Sequence, residues 1–171
     1  LYRIKAGETK NFMAGAGAGL EGIVATSSKI CFIDGGEGIL SYFGYNIHTL
    51  ADNATFEEVI YLLWNGKLPN KQELAGLKSA LVAERELPKE VIAFLKTVPK
   101  GGAPMDVLRT AVSMLSLYDP LGAYNSEDAN VKRAVKLMAR VATIVTSYDR
   151  LRNGKEIVSG DPNLGYAANF L

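Results

Sequence analysis

A segment near the end of the chain limits the possible folds more than any other feature. Ser126 precedes it as an N-cap residue, the segment runs from residue 127 to 153, and Gly154 follows. As a helix it would be about 40 Å long at 1.5 Å per residue. Apolar side chains line one side and widen into a broad stripe: Val131, Val135, Met138, Val141, Ala142, Ile144, Val145, Tyr148 and Leu151. We therefore expect other elements to cover much of this helix.

Helix start and stop signals divide the preceding residues into shorter helices. Residues 55–58 (TFEE) and 70–73 (NKQE) are capping boxes, in which two side chains each bind a free backbone N–H. Pro88 and Pro104 suit the first turns of two further helices, and Asp119 with Pro120 ends the second of these. The pattern predicts at least five helices.

A glycine-rich turn predicts a small hairpin before the helices. Residues 34–38 (DGGEG) separate the apolar runs 30–33 and 39–43. A phosphate-binding loop is the weaker interpretation, because the turn lacks both the Lys-Ser/Thr of a Walker loop and the GxGxxG spacing. We find no repeat of 20–50 residues. The predicted fold class is mostly α, with this small amino-terminal β-hairpin.

Composition excludes several classes of protein. The 171 residues carry 19 Lys+Arg and 18 Asp+Glu, a net charge of +1, which does not favour a polyanionic partner such as a nucleic acid. We find no membrane span and no signal peptide, and expect a cytoplasmic protein. The single cysteine, Cys31, precludes a disulfide within the chain, and its apolar neighbours predict a buried strand thiol rather than a reactive one.

Six blocks of sequence stand in a recognisable order. They are residues 19–24 (GLEGIV), 33–51 (IDGGEGILSYFGYNIHTLA), 55–69 (TFEEVIYLLWNGKLP), 104–113 (PMDVLRTAVS), 142–156 (ATIVTSYDRLRNGKE) and 167–171 (AANFL). With these gaps they resemble the citrate synthase and 2-methylcitrate synthase family of bacteria and archaea. The chain departs from the family pattern at Phe43, where Arg is usual, and at Ala103, where many members have His.

The resemblance implies a multi-helical enzyme with a large and a small domain. Residues 20–171 would form the amino-terminal part of the large domain, truncated, after a flexible leader or tag at residues 1–19. The family works as a homodimer and condenses an acyl-CoA, typically acetyl-CoA, with oxaloacetate to give citrate and CoA. Propionyl-CoA would give 2-methylcitrate, and the sequence does not separate the two. No metal or redox cofactor is implied.

The resemblance also implies that the catalytic groups lie elsewhere. An Asp abstracts a proton from the thioester methyl, one His stabilises the enol, and another His assists at the oxaloacetate carbonyl. Their motifs follow the block at 167–171. His48, the only histidine, matches none of them, so we expect a surface or helix-end residue. We assign no catalytic, cofactor-binding or metal-binding residue within the chain, which we expect to be inactive alone.

Charged side chains leave a few hypotheses open. Lys132, Arg133, Lys136 and Arg140 share one helix face, followed by Arg150 and Arg152. One of them could contact a CoA phosphate in the whole enzyme, but a solvated polar face is the commoner explanation. Arg109, inside an apolar stripe, would need an acidic or carbonyl partner and suits a structural role.

The acidic residues suggest local roles. We expect Asp34 to serve the hairpin turn, and Glu57 and Glu58 to cap a helix start. Glu84 and Glu86, on either side of Arg85, predict a solvated helix end.

Two other classes remain as alternatives to an enzyme part. The same scaffold could serve as a stand-alone, non-catalytic helical interaction module, and the basic helix face is the sole support for nucleic-acid binding. In the preferred interpretation, the chain exposes apolar surface that the rest of the protein and a partner subunit would cover.

Overall fold

The computed structural model describes residues 26–121 and 124–171. The predicted leader at residues 1–19 and the block at 19–24 lie outside these ranges. Of the helices described, none has the length and hydropathy that crossing a membrane requires.

A small antiparallel sheet comes first, in the order β1-β2-β3. The strands are β1 (Cys31–Asp34), β2 (Ile39–Tyr42) and β3 (Tyr45–Asn46), with Ile33 opposite Leu40 and Tyr42 opposite Tyr45. The predicted hairpin is confirmed, and Asp34 accepts the N–H groups of Gly36 and Glu37 at 3.0 Å in its turn.

The third strand was not predicted. It forms because Phe43 and Gly44 both have positive φ, 46° and 85°, and make a two-residue turn between the paired Tyr42 and Tyr45. Such turns match the twist of the strands they join, but they rarely carry a bulky residue at the first position.

The described residues contain seven α-helices, in agreement with the prediction of at least five. They are α1 (Ile47–Asn53), α2 (Phe56–Asn65), α3 (Lys71–Ala83), α4 (Lys89–Thr97), α5 (Pro104–Leu115), α6 (Glu127–Arg152) and α7 (Tyr166–Phe170), with a 3₁₀ turn at Ser116–Tyr118. Both capping boxes are present, at Thr55 with Glu58 and at Asn70 with Glu73. Pro88 is the N-cap of α4 rather than a first-turn residue.

The long helix α6 is the centre of the packing. Its carboxyl-terminal half joins α4 and α5 in one apolar cluster of Val91, Leu95, Val107, Ala111, Leu115, Ile144 and Tyr148. Nearer its middle, Ala139 packs with Ile60, Leu77 and Leu81 of α2 and α3. The predicted stripe is largely confirmed, since Ile144 and Tyr148 are buried and its other members except the exposed Val131 are half-buried. Ala139 and Ser147 are also buried and were not predicted.

Helix α3 gives a pH-dependent prediction. Glu73 accepts an N–H of Lys67 at 2.7 Å and the backbone N–H of Asn70 at 2.8 Å. These two hydrogen bonds, the Lys67 one first, lower the pKa of Glu73 from 4.5 to about 2. Because the folded pKa lies below the unfolded one, the carboxylate stabilises the fold fully above pH 4.5. This stabilisation is lost as the pH falls toward 2.

We expect Glu73→Gln to be less stable than the wild type at pH 7. The difference should shrink as the pH is lowered through the acid range, when urea unfolding is followed by circular dichroism. Glu86→Gln changes an exposed carboxylate that no capping box holds, and serves as the matched control. A Glu73→Gln deficit that persists undiminished to pH 2 would contradict the assignment.

Candidate functional site

His48 lies on the surface, as predicted. It is the second residue of α1, it is exposed, and its backbone N–H donates to the side chain of Asn46 at 2.8 Å. The prediction of a surface or helix-end residue is therefore confirmed within the described residues.

Cys31 is exposed, and the prediction of a buried thiol is wrong. The apolar neighbours that suggested burial are themselves exposed: Ile30, Phe32 and Ile33. The reason is that β1 lies at the edge of a small sheet, where β2 is its neighbouring strand.

Glu57 has a different role from its neighbour. Glu58 completes the capping box of α2, as expected. Glu57 is instead 6% exposed and accepts the backbone N–H of Tyr166 at 3.0 Å, so it caps the first residue of α7 from another helix. Glu57 also lies in the first turn of α2, as its predicted role at a helix start requires, but its hydrogen-bond partner is 109 residues away in the chain.

Tyr166, at the start of α7, contacts two other helices. Its ring stacks on Phe56 of α2 with centroids 4.8 Å apart, and its hydroxyl donates to the carbonyl of Met138 in α6 at 2.7 Å. Burial raises the pKa of the Tyr166 phenol. These contacts fix the start of α7 against the helical body.

The chain after α3 is solvated only in part, since Glu86 is exposed whereas Arg85 is half-buried. Arg85 donates to the carbonyl oxygens of Asp161 and Leu164 at 2.9 and 3.1 Å. The carboxamide of Asn169 donates to the same two carbonyls and accepts the N–H of Asp161. The prediction of a solvated end therefore holds for Glu86 but not for Arg85, because the segment that contains Asp161 and Leu164 folds back onto the end of α3.

A cavity of about 270 Å³ lies where the end of α5 meets α6, and we call it the ion-paired cleft. It is lined by Val112, Leu115, Ser116, Asp119, Arg133, Lys136, Leu137 and Arg140. Apolar side chains from both helices thus share one cavity with four charged ones.

Asp119 is the centre of the charges in the ion-paired cleft. Its carboxylate accepts from Lys136 Nζ at 2.9 Å, from Arg133 Nε at 3.1 Å and from the backbone N–H of Leu121 at 3.2 Å. The hydrogen bond from Lys136 is the main reason that the pKa of Asp119 lies below its ordinary value. Arg140 pairs separately with Glu84, at 3.0 Å between Nη2 and Oε2.

The basic face of α6 is therefore not a solvated surface. Lys132 is exposed, as that interpretation expects, but the side chains of Arg133, Lys136 and Arg140 are only 25%, 15% and 16% exposed. The prediction fails because Asp119 and Glu84 approach α6 from other elements. Contact between any of these cations and CoA stays a prediction.

Arg109 points to solvent. Its guanidinium pairs with Asp106 one turn earlier at 2.9 Å, and its side chain is 79% exposed. The expected acidic partner is present, and the side chain is not buried among the described residues. Nor do those residues contain a group of three or more His, Cys, Asp or Glu side chains that could hold a metal ion.

Comparisons with known proteins agree on one family. The family model described as "Citrate synthase, C-terminal domain" matches residues 19–171. Citrate synthase 2 of Bacillus subtilis is 43% identical over 154 residues, which cover 90% of this chain and 41% of that protein. The 2-methylcitrate synthase 1 of Corynebacterium glutamicum is 37% identical over 155 residues, covering 90% and 40%.

Solved structures give the same result for the fold. Citrate synthase from Pyrobaculum aerophilum superposes with a TM-score of 0.81 at 36% identity, covering 89% of this chain and 40% of that one. The ternary complex of the Thermoplasma acidophilum citrate synthase with carboxymethyl coenzyme A and oxaloacetate gives 0.81 at 26% identity. The chain thus spans about two fifths of the length of the proteins it matches.

Proposed function

The chain belongs to the citrate synthase family, and we propose that the whole protein condenses acetyl-CoA or propionyl-CoA with oxaloacetate. The products would be citrate or 2-methylcitrate, together with CoA. The family match over residues 19–171 is the observation that carries the proposal. The relatives include both a citrate and a 2-methylcitrate synthase at similar identity, so both acyl substrates are part of it.

Within that enzyme, this chain would supply scaffold rather than chemistry. Deprotonating a thioester methyl requires a positioned base together with a group that stabilises the developing enolate. The one histidine of the sequence is an exposed residue at the start of α1. The acidic groups with close partners serve helix ends and ion pairs, as Glu57, Glu73 and Asp119 do. We therefore infer that the chain alone has no condensing activity.

A homodimer is part of the same proposal. Large apolar side chains remain in solvent at several places in the described residues, among them Leu117 at 76%, Met105 at 71% and Val158 at 63%. Exposed apolar patches mark surfaces that another element or subunit covers. We propose that the remaining part of the enzyme and a second subunit cover them. A cytoplasmic location completes the proposal, since one cysteine suits a reducing compartment.

Release of CoA tests the proposal directly. The product of the complete reading frame should release free thiol from acetyl-CoA or propionyl-CoA only when oxaloacetate is added, as followed with a chromogenic thiol reagent. Purified residues 1–171 carry the exposed thiol of Cys31, which reacts with the reagent, so their trace should be the same with and without oxaloacetate. Thiol release by residues 1–171 would contradict the scaffold role. Failure of the complete protein with both thioesters would contradict the proposed activity.

A further inference from the structure

The charges that line the ion-paired cleft do not balance. Three cations, Arg133, Lys136 and Arg140, face the cavity together with one carboxylate, that of Asp119. The second carboxylate of the network, Glu84, binds Arg140 from outside the lining. With Glu84 counted, three cations meet two carboxylates among the described residues, which leaves an excess of one positive charge in a partly buried setting. Screening by water is weaker there than on the surface.

Lys136 has unused donor capacity. An ammonium group has three N–H donors. Among the residues that the structure describes, Asp119 Oδ1 is the one acceptor hydrogen-bonded to its Nζ. Because the side chain is 15% exposed, bulk water reaches it poorly. An anionic group entering the cavity would find a cation that is held in place and incompletely paired.

Apart from Ser116, the remaining wall of the cavity is apolar. Val112 and Leu115 come from α5, and Leu137 from α6, next in sequence to Lys136. Sites for small molecules combine such apolar walls with a few fixed polar groups. The volume of about 270 Å³ is slightly below the range of about 300–1,000 Å³ for drug-sized ligands, which favours a small one.

We propose that the ion-paired cleft binds a small organic anion with an apolar body. Lys136 and Arg140 hold its carboxylate or phosphate head group, and Leu137 contacts the body. Neither a condensation step nor the proposed catalytic groups enter this inference, so it stands or falls independently of the enzymatic activity.

Four probes separate the parts of the proposal: hexanoate, hexyl phosphate, hexan-1-ol and inorganic phosphate. Titration calorimetry on the full-length protein should detect at least one of the two anions with a hexyl chain. The expected dissociation constant is on the order of 1 mM for so few atoms. Hexan-1-ol and inorganic phosphate should each bind at least tenfold more weakly. Binding of one anion alone identifies its head group as the one recognised.

Matched variants locate the binding. Lys136→Met keeps the length of the side chain without its charge, and should weaken the bound anion at least tenfold. Lys132→Met makes the same change on the exposed face of α6 and should leave affinity within twofold. Leu137→Ser, at a half-exposed wall residue, should weaken the hexyl anions without disturbing the ion pairs, and it provides the test if Lys136→Met does not fold.

Any of the following outcomes would overturn the proposal. One is that neither hexyl anion binds the wild-type protein. Another is that hexan-1-ol binds as tightly as they do, since the cations would then contribute nothing. The third is that Lys132→Met weakens binding as much as Lys136→Met, or that Leu137→Ser has no effect on it.

Discussion

Replacing Leu95 with alanine is expected to lower the free energy of unfolding by about 3–4 kcal/mol, within the range measured for leucine truncations in well-packed cores. Leu95 is 1% exposed on α4 and belongs to the cluster that α4 shares with α5 and α6. The truncation removes buried methyl groups and leaves a cavity that three helices on different axes cannot easily close. Urea unfolding followed by circular dichroism at 222 nm measures the change.

Lys96 provides the control for Leu95 on the same helix. Its side chain is exposed, and Lys96→Ala should change the free energy of unfolding by less than about 0.5 kcal/mol, as is usual for surface positions. If Leu95→Ala cost less than about 1 kcal/mol, the cluster would not be the close-packed core that its burial indicates.

Local sequence signals predicted most of the helical fold. The capping boxes beginning at Thr55 and Asn70 and the N-cap at Ser126 mark helix starts correctly. Gly66 and Gly154 both have positive φ just after their helices. These signals work because the unpaired N–H and C=O groups of a helix end are satisfied by residues within one turn.

Other features depend on contacts that no local pattern encodes. The exposure of Cys31 follows from the position of β1 at a sheet edge, which its apolar neighbours could not reveal. The bond from Tyr166 to Glu57 requires α7 to fold back onto α2. A signal for β3 was present in the glycine after Phe43, but a bulky residue at the first turn position obscured it.

No sequence pattern predicted the ion-paired cleft. Asp119 stands next to Pro120 and looked like a simple helix stop, and the basic residues of α6 looked like a solvated face. Arg133 and Lys136 meet Asp119 across 14 and 17 residues of sequence. That meeting depends on the angle at which α5 and its 3₁₀ turn pack on α6. Such angles are set by the packing of side-chain ridges of one helix into grooves of the other, so the spacing of charges along the sequence does not reveal them.

Replacing Asp119 with alanine is expected to cost about 2 kcal/mol of stability. Losing one partner of a fully buried pair costs about 3–5 kcal/mol, and we reduce that figure because the three side chains remain 14–25% exposed. The change leaves Lys136 and Arg133 partly buried without their shared carboxylate, and the N–H of Leu121 without its acceptor. Urea unfolding at pH 7 measures the loss.

The pair of Asp106 and Arg109 tests whether burial, rather than ion pairing as such, gives Asp119 its effect. The N···O distance between Arg109 and Asp106 is 2.9 Å, the same as that between Lys136 and Asp119, but the Asp106 and Arg109 side chains are 66% and 79% exposed. Asp106→Ala should therefore lower the free energy of unfolding by less than about 0.5 kcal/mol.

The loss of stability in Asp119→Ala should also depend on pH. The pKa of Asp119 is lowered from 3.8 in the folded state, so its stabilisation is complete above that pH and disappears as the pH falls through the folded value. Equal costs for the two variants, or an Asp119→Ala deficit that does not decrease in acid, would show that this carboxylate does not hold α6 to the end of α5.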